Sequence, residues 1–434
     1  MKWLTVKLAD IAIEMQPGFA KQPSQDGLGL PQLRTNNVSE DGRINLSTIK
    51  TVVASENEIA KYSLQARDII FNNTNSPALV GKTAFFEENG HFLFSNHMTR
   101  IRVREDVVDA KFISKYLHWI WMQGGFRNLV TQWVNQAAIN RIQLSRLSIS
   151  LPPISEQRRI VEILDQADAL RKMRAEADAK AERILPALFI KMFGDPATNS
   201  MGWEEKKLSD LNIDFRYGTS VKCDYRIKGL PVLRIPNILG GEINLDALKY
   251  GELSSEETNR LLLQQGDLLF VRTNGNPDYV GRCAVFDLDE PYLFASYLIR
   301  ARFPRDTVES RFIAAYLQTP SGRQGMLPFI RTTAGQSNIS VEGLKNIPIF
   351  LPDIELQRNF VNQLDNLYKL RRQREQSKSL LESIFQSLLS RAFSGELTAK
   401  WREAHMKELL AEMEEQAKAL NLRDNADPQQ LSLL

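Results

Sequence analysis

Cysteine is almost absent. Only Cys223 and Cys283 occur in 434 residues, without metal-ligand spacing, so reduced thiols are expected and a disulfide scaffold or zinc module is excluded. The four histidines, His91, His97, His118 and His405, are scattered. No apolar run reaches the ~18 residues of a membrane span and no signal peptide precedes the first polar segment, so a cytoplasmic chain, neither membrane-spanning nor exported, is expected. Charge of one sign is also missing: 55 Lys+Arg against 52 Asp+Glu leave +3. An evenly charged chain can still carry a local basic face. There is no Gly-x-x-x-x-Gly-Lys-Ser/Thr phosphate loop. Gly27-Leu28-Gly29 is isolated in a polar loop, so no glycine-rich turn is available for S-adenosylmethionine. What remains is 43% hydrophobic and 25% charged residues. That is enough to bury real cores in roughly three units at this length.

The sequence is written twice. Leu151-Pro152-Pro153-Ile154-Ser155-Glu156-Gln157-Arg158-Arg159 returns as Leu351-Pro352-Asp353-Ile354-Glu355-Leu356-Gln357-Arg358-Asn359. At a shift of 200, ten of the 21 positions from 151 to 171 are identical, where composition alone gives roughly one or two. Trp3, Lys7, Leu8 and Asp10 recur as Trp203, Lys207, Leu208 and Asp210, and Leu33-Arg34 as Leu233-Arg234.

Residues 20–110 predict short strands between turns. Thr99-Arg100-Ile101-Arg102-Val103-Arg104 alternates with period two, as a half-buried strand with one basic face does. Ala110–Met122 and Ser310–Gln318 predict helices. The expected fold class is α+β: two globular domains in tandem, each followed by a long helix. In the first helix Ile160, Leu164, Ala167, Leu170, Ala177, Ala181, Ile184 and Leu188 form an apolar stripe. Phe360, Leu364, Leu367, Leu370, Leu381, Ile384 and Leu388 form the second. A seam this narrow needs a partner helix, so the two helices are expected to pack on each other as an antiparallel coiled coil. Pro186 is expected to kink the first near its end, and Gly194 and Gly395 to stop the two. The expected division is 1–150, 151–200, 201–350, 351–400 and 401–434. The last carries a helix from about Glu403 to Leu420 and a mobile tail.

Catalysis finds little support. Asn276-Pro277-Asp278-Tyr279 differs by one residue from the Asn-Pro-Pro-Tyr of amino-methyltransferases, but the first repeat has Asn75-Ser76-Pro77-Ala78 there. Acidic residues form no paired constellation, and the expectation is a chain that is not an enzyme.

The order of variable globule, long helix, variable globule, long helix resembles the specificity subunit of type I restriction–modification systems. The resemblance covers nearly the whole chain. It rests on the paired Leu-Pro-x-Ile-x-x-Gln-Arg openings, Gly266-Asp267-Leu268-Leu269-Phe270 with Val280-Gly281, Thr332-Thr333-Ala334-Gly335-Gln336-Ser337, and Ala392-Phe393-Ser394-Gly395-Glu396-Leu397-Thr398-Ala399. The first repeat departs from the third of these with Asn135-Gln136-Ala137. The resemblance implies two target-recognition domains, each reading one half of a bipartite, asymmetric site in double-stranded DNA. It implies helices that set the spacing and dock two methyltransferase subunits, and a restriction and motor subunit joining the full complex. S-adenosylmethionine is then expected on the partner methyltransferase, with no cofactor on this chain. The alternatives are a self-sufficient adenine DNA methyltransferase using Asn276–Tyr279, and a coiled-coil assembly protein without a DNA role.

Base reading needs paired donors and acceptors. The loops that differ between the repeats offer Asn72, Asn73, Asn75, Asn96, Gln132 and Asn135 in the first globule. The second offers Arg272, Asn274, Asn276 and Tyr297. Lys82, Arg100, Arg127, Arg282, Arg300, Arg323 and Arg331 are the expected phosphate contacts. Asparagine in a loop also simply makes turns, and arginine on a strand often only solvates a face.

Overall fold

The period-two stretches become strands, and their pairing is the same in both repeats. The computed structural model describes residues 1–132, 136–239 and 241–422. In the first repeat Met98–Val103 lies between Ala12–Pro17 and Ile69–Asn72, with Thr83–Phe85 beyond, all antiparallel. In the second, Leu298–Arg302 lies between Asp214–Tyr217 and Leu268–Val271, with Cys283–Val285 beyond. A smaller sheet sets Ala137–Ala138 between Thr74–Asn75 and Thr131–Gln132. Its counterpart sets Gln336–Asn338 between Thr273–Asn274 and Arg331–Thr333. Each globule is closed by its own ends, Leu4–Lys7 on Ser148–Leu151 and Glu205–Lys207 on Pro348–Phe350.

The chain forms two compact units, Met1–Met173 with the chain from Ser379, and Arg174–Lys378. In the first unit the sheet and the helix Ala110–Met122 share a core with Ile160 and Leu164 of one long helix and Phe385, Leu389, Ala392 and Phe393 of the other. Phe393 packs edge-on against Phe112 and Tyr116 at ring-centre distances of 5.7 and 5.2 Å. The second unit repeats the arrangement with Phe189 and Phe193 against Phe312 and Phe360.

The long helices run antiparallel within each unit. In the first, Arg171 bonds Glu382 at 2.7 Å and covers the Phe385 ring. In the second, Arg174 donates to Ser377 at 2.9 Å, Arg374 to Asp178 at 2.9 Å and again to Glu182 at 3.2 Å. Numbers rise on one strand of the pair as they fall on the other. This is the coiled coil the stripes called for, with the kink expected at Pro186 and one correction. The first helix breaks before Pro186, as Ile154–Ala181 and Ile184–Phe193. Proline has no N–H to give the Glu182 carbonyl and its ring crowds that turn, so the break falls one turn upstream of the proline. The partner helix, Ile354–Ser394, is unbroken over 41 residues. The correction is that Leu170 and Leu370, predicted in the seam, are 57% and 56% exposed, and Ile184 and Ile384 are also exposed. A two-helix contact covers only a narrow stripe, narrower than the apolar face these helices carry.

Gly194 and Gly395 end the helices at φ 80° and 82°, the left-handed geometry that lacks a penalty only in glycine. After Gly395 the chain forms Ala399–Ala404 and Met406–Ala419 rather than one helix. Arg402, Gln416 and Glu412 tie these to Glu156, Val107 and Ser155 of the first unit. Of the expected mobile tail, 423–434 lies outside the described residues.

Candidate nucleic-acid interface

In the first unit the strand Ile69–Asn72 runs out beside the turn Ser95–Met98. The Asn73 N–H donates to the His97 carbonyl at 3.1 Å, and its Nδ2 to Thr99 Oγ1 at 2.9 Å. Asn75 pairs across the small sheet with Ala137, whose other neighbour is Gln132. Asn96 and Gln132 are exposed, and Asn73 and Asn75 half-buried. Four of the expected base readers thus gather at one end of the sheet. Asn135 lies outside the described residues. Arg127 is exposed in the turn after the helix Ala110–Met122.

Three other expectations for this unit are not supported by where the side chains lie. Asn72 is buried, its Nδ2 donating to the Thr35 carbonyl at 3.1 Å. Lys82 is buried with its Nζ on the Val38 carbonyl, and desolvation lowers its pKa. Arg100 is 3% exposed, held by Glu14 at 2.9 Å, Gln16 at 2.6 Å and the Ser63 carbonyl. Its neighbour Arg102 bonds Asp68 at 2.6 Å, and that bond raises its pKa. The basic face of this strand therefore meets an internal set of acceptors. Alternation told the two faces apart but could not say whether water or buried counter-ions met the polar one.

The second unit uses the same sites with different chemistry. Arg272 lies over the Tyr217 ring at 4.8 Å and donates to the Ser296 carbonyl at 3.3 Å. Its N–H donates to the carbonyl of Tyr297, whose ring is exposed. Asn274 pairs with Ser337 in the small sheet, where Asn338 pairs with the exposed Arg331. The side-chain Oδ1 atoms of Asn274 and Asn276 accept from the backbone N–H groups of Asn276 and Asp278 at 2.9 and 3.0 Å, the turn-making use of asparagine. Arg282 stacks on Tyr279 at 3.8 Å and is exposed. Arg323 donates to the Pro277 carbonyl at 2.8 Å and to that of Val280, and burial lowers its pKa. Arg300 repeats Arg100: it is 1% exposed and bonded to Asp214, and desolvation lowers its pKa. Its placement likewise does not support a phosphate contact. Tyr217 was missed in the sequence, although its counterpart Pro17 marked it as a position where the repeats differ.

Beside the asparagine both share, Asn75 or Asn274, the first face therefore offers further amides, and the second an arginine, a stacked tyrosine and an exposed tyrosine. Asn276, the first residue of the methyltransferase-like tetrapeptide, is spent capping its own turn. Among the described residues no group of three or more His, Cys, Asp or Glu is placed to hold a metal ion. No helix among them is long and apolar enough to cross a membrane.

Comparison with known proteins agrees with this architecture. The family model of the type I restriction modification DNA specificity domain matches residues 1–182 and again 201–382. The EcoKI specificity subunit of Escherichia coli K12 is 28% identical over 400 residues, covering 86% of this chain and 83% of its own. The StySPI specificity subunit of Salmonella potsdam is 24% identical over the same shares. Among solved structures, a chain of a type I R-M system shares the fold at a TM-score of 0.58 and 19% identity, covering 91% of this chain and 98% of its own. The S subunit from M. genitalium does so at 0.51 and 14%, over 91% and 96%. Matched in both of its repeats, this chain belongs to the type I restriction–modification DNA specificity family and is a specificity subunit of that kind.

Proposed function

We propose that each globule reads one half of a bipartite, asymmetric DNA site and that the chain itself catalyses no step. The observation that carries this reading is the contrast at equivalent positions of one scaffold. Asn73, Asn96, His97 and Gln132 stand at the first sheet end where Arg272, Ser296, Tyr297 and Thr332 stand at the second, with Asn75 and Asn274 alike in both. Amides pair bidentately with adenine, and arginine with guanine, so unlike faces select unlike half-sites. The exposed cations Arg127, Arg282 and Arg331 supply phosphate contacts that fix register.

The helices are the spacer and the docking post. A helix of 41 residues is about 61 Å long at ~1.5 Å per residue, enough to address major grooves one turn, about 34 Å, apart. The exposed Leu170 and Leu370, at matching positions of the two repeats, suit two copies of one partner, the methyltransferase subunit. That partner carries S-adenosylmethionine, and a restriction and motor subunit joins to cut. Exchanging residues 1–150 for those of another family member tests the reading. One half-site of the methylated sequence changes and the other stays; a change in both would refute it.

A further inference from the structure

A pocket of about 420 Å³ opens beside the first unit's sheet end, lined by Gln32, Arg34, Asn36, Ser95, Asn96 and His97 among others. Its rim is continuous with the candidate interface, because Asn73 Nδ2 reaches the Asn96 carbonyl at 3.4 Å and Asn72 holds the Thr35 carbonyl. Ser95 is only 7% exposed, yet its hydroxyl has no hydrogen-bond partner among the described residues, and the Nε of Arg34, another lining residue, has none either. Buried polar groups left without a partner cost folding free energy, so a built wall with an idle hydroxyl points to a ligand.

The lining also says which ligand. Of its two cations, Lys21 is paired with Glu58 at 3.1 Å, and Arg34 is held through Nη2 by the Lys21 carbonyl at 3.1 Å and Gln32 Oε1 at 3.4 Å. A phosphate would meet a single guanidinium there, itself tied to the pocket wall through Nη2. The other polar lining can both donate and accept: the exposed Asn36 and Asn96 amides, the Ser95 hydroxyl and the His97 imidazole. That set matches the mixed donor and acceptor pattern of a nucleobase edge. The second repeat has Val232, Ile235, Pro236 and Ala295 where the first has Gln32, Thr35, Asn36 and Ser95, so the polar lining belongs to one half of the molecule.

We propose that this pocket is a base-reading subsite that takes the edge of one nucleobase in the half-site addressed by the first unit. The proposal rests on the DNA-reading function above and adds the segment Arg34–Asn36 to it. The test selects binding sites from randomised duplexes with the full chain and with Ser95→Ala, Asn36→Ala and His97→Tyr. Ser95→Ala breaks no internal hydrogen bond and installs the residue of the second repeat, so folding is retained. The expected result is a ~10- to 100-fold relaxed preference at one position of one half-site, with the other half-site unchanged. Variants that select the same base as the parent at every position, or lose affinity evenly across the site, would overturn the pocket. A parent chain that selects no bipartite site would instead sink the DNA-reading assignment beneath it.

Discussion

Arg402 donates through Nε to Glu156 Oε1 at 2.8 Å, joining residues 246 positions apart inside the first unit. Glu156 is fully buried and also accepts from Thr398 at 2.6 Å and Trp3 at 3.1 Å. A buried carboxylate persists only when its lone pairs are taken up this fully. Glu156→Ala leaves Arg402 facing an empty site and is predicted to destabilise the first unit by roughly 3–5 kcal/mol, read as a lower urea midpoint at unchanged slope. The double change Glu156→Leu with Arg402→Met restores most of that, since Leu356 already fills the matching position of the second repeat. If the double loses the sum of the singles, the pair is not coupled.

His118 sets a pH limit on the same unit. It is buried, neither ring nitrogen has a partner among the described residues, and burial brings its pKa down to about 4. The folded state therefore refuses a proton that the unfolded chain takes at its ordinary ~6.5. Stability is complete above pH ~6.5 and falls as pH drops toward 4, by roughly 3 kcal/mol in all. His118→Gln, the residue of the second repeat at Gln318, flattens that part of the curve. Unfolding midpoints from pH 7 to 4.5 decide it: equal slopes for parent and variant would refute the assignment.

The architecture was legible because geometry repeats. Gln157 and Gln357, conspicuous in the doubled openings, are both fully buried. Each accepts from the first N–H before a helix, Asp109 at 2.8 Å and Glu309 at 2.9 Å. Each also donates to the proline carbonyl of its own motif, Pro152 at 2.8 Å and Pro352 at 2.7 Å. Such a joint has one chemical solution, so the sequence keeps it and a reader finds it. The candidate site was less legible. Arg100 and Arg331 look alike as letters, yet one is sealed against Glu14 and the other faces water. That distinction lies in strands and loops more than 80 positions away, and local periodicity carries no trace of it. The helix break before Pro186 needed only the proline, whereas the exposed Leu170 needed the partner helix's path.

The two kinds of arginine give a direct comparison. Arg331→Ala is predicted to lower the slope of log K against log salt by ~0.9 per lost phosphate contact, with no change in half-site preference and little in Tm. Arg300→Ala is predicted to leave the slope of the folded protein alone and cost roughly 2–4 kcal/mol of stability, because it empties a buried, packed position. Titrations of duplex binding between 50 and 300 mM salt, beside a melting curve for each variant, separate the two. A slope change in Arg300→Ala without loss of Tm would return that residue to the interface.

Leu170 and Leu370 carry the partner-docking prediction. Both are more than half exposed at the same position of their repeats, and an exposed leucine on a helix contributes little to the fold of its own chain. Leu170→Glu and Leu370→Glu are each predicted to change the stability of the isolated chain by under ~0.5 kcal/mol. Placing a carboxylate at the centre of an apolar contact costs the complex roughly 2–4 kcal/mol, or ~30- to 1,000-fold in affinity for that site. Because one leucine serves each repeat, each single variant retains one methyltransferase subunit and the double retains none. The mass of the complex after co-expression with the methyltransferase reads this out directly. A double variant that still carries two subunits would move the docking post off this face and leave the exposed stripe without a partner.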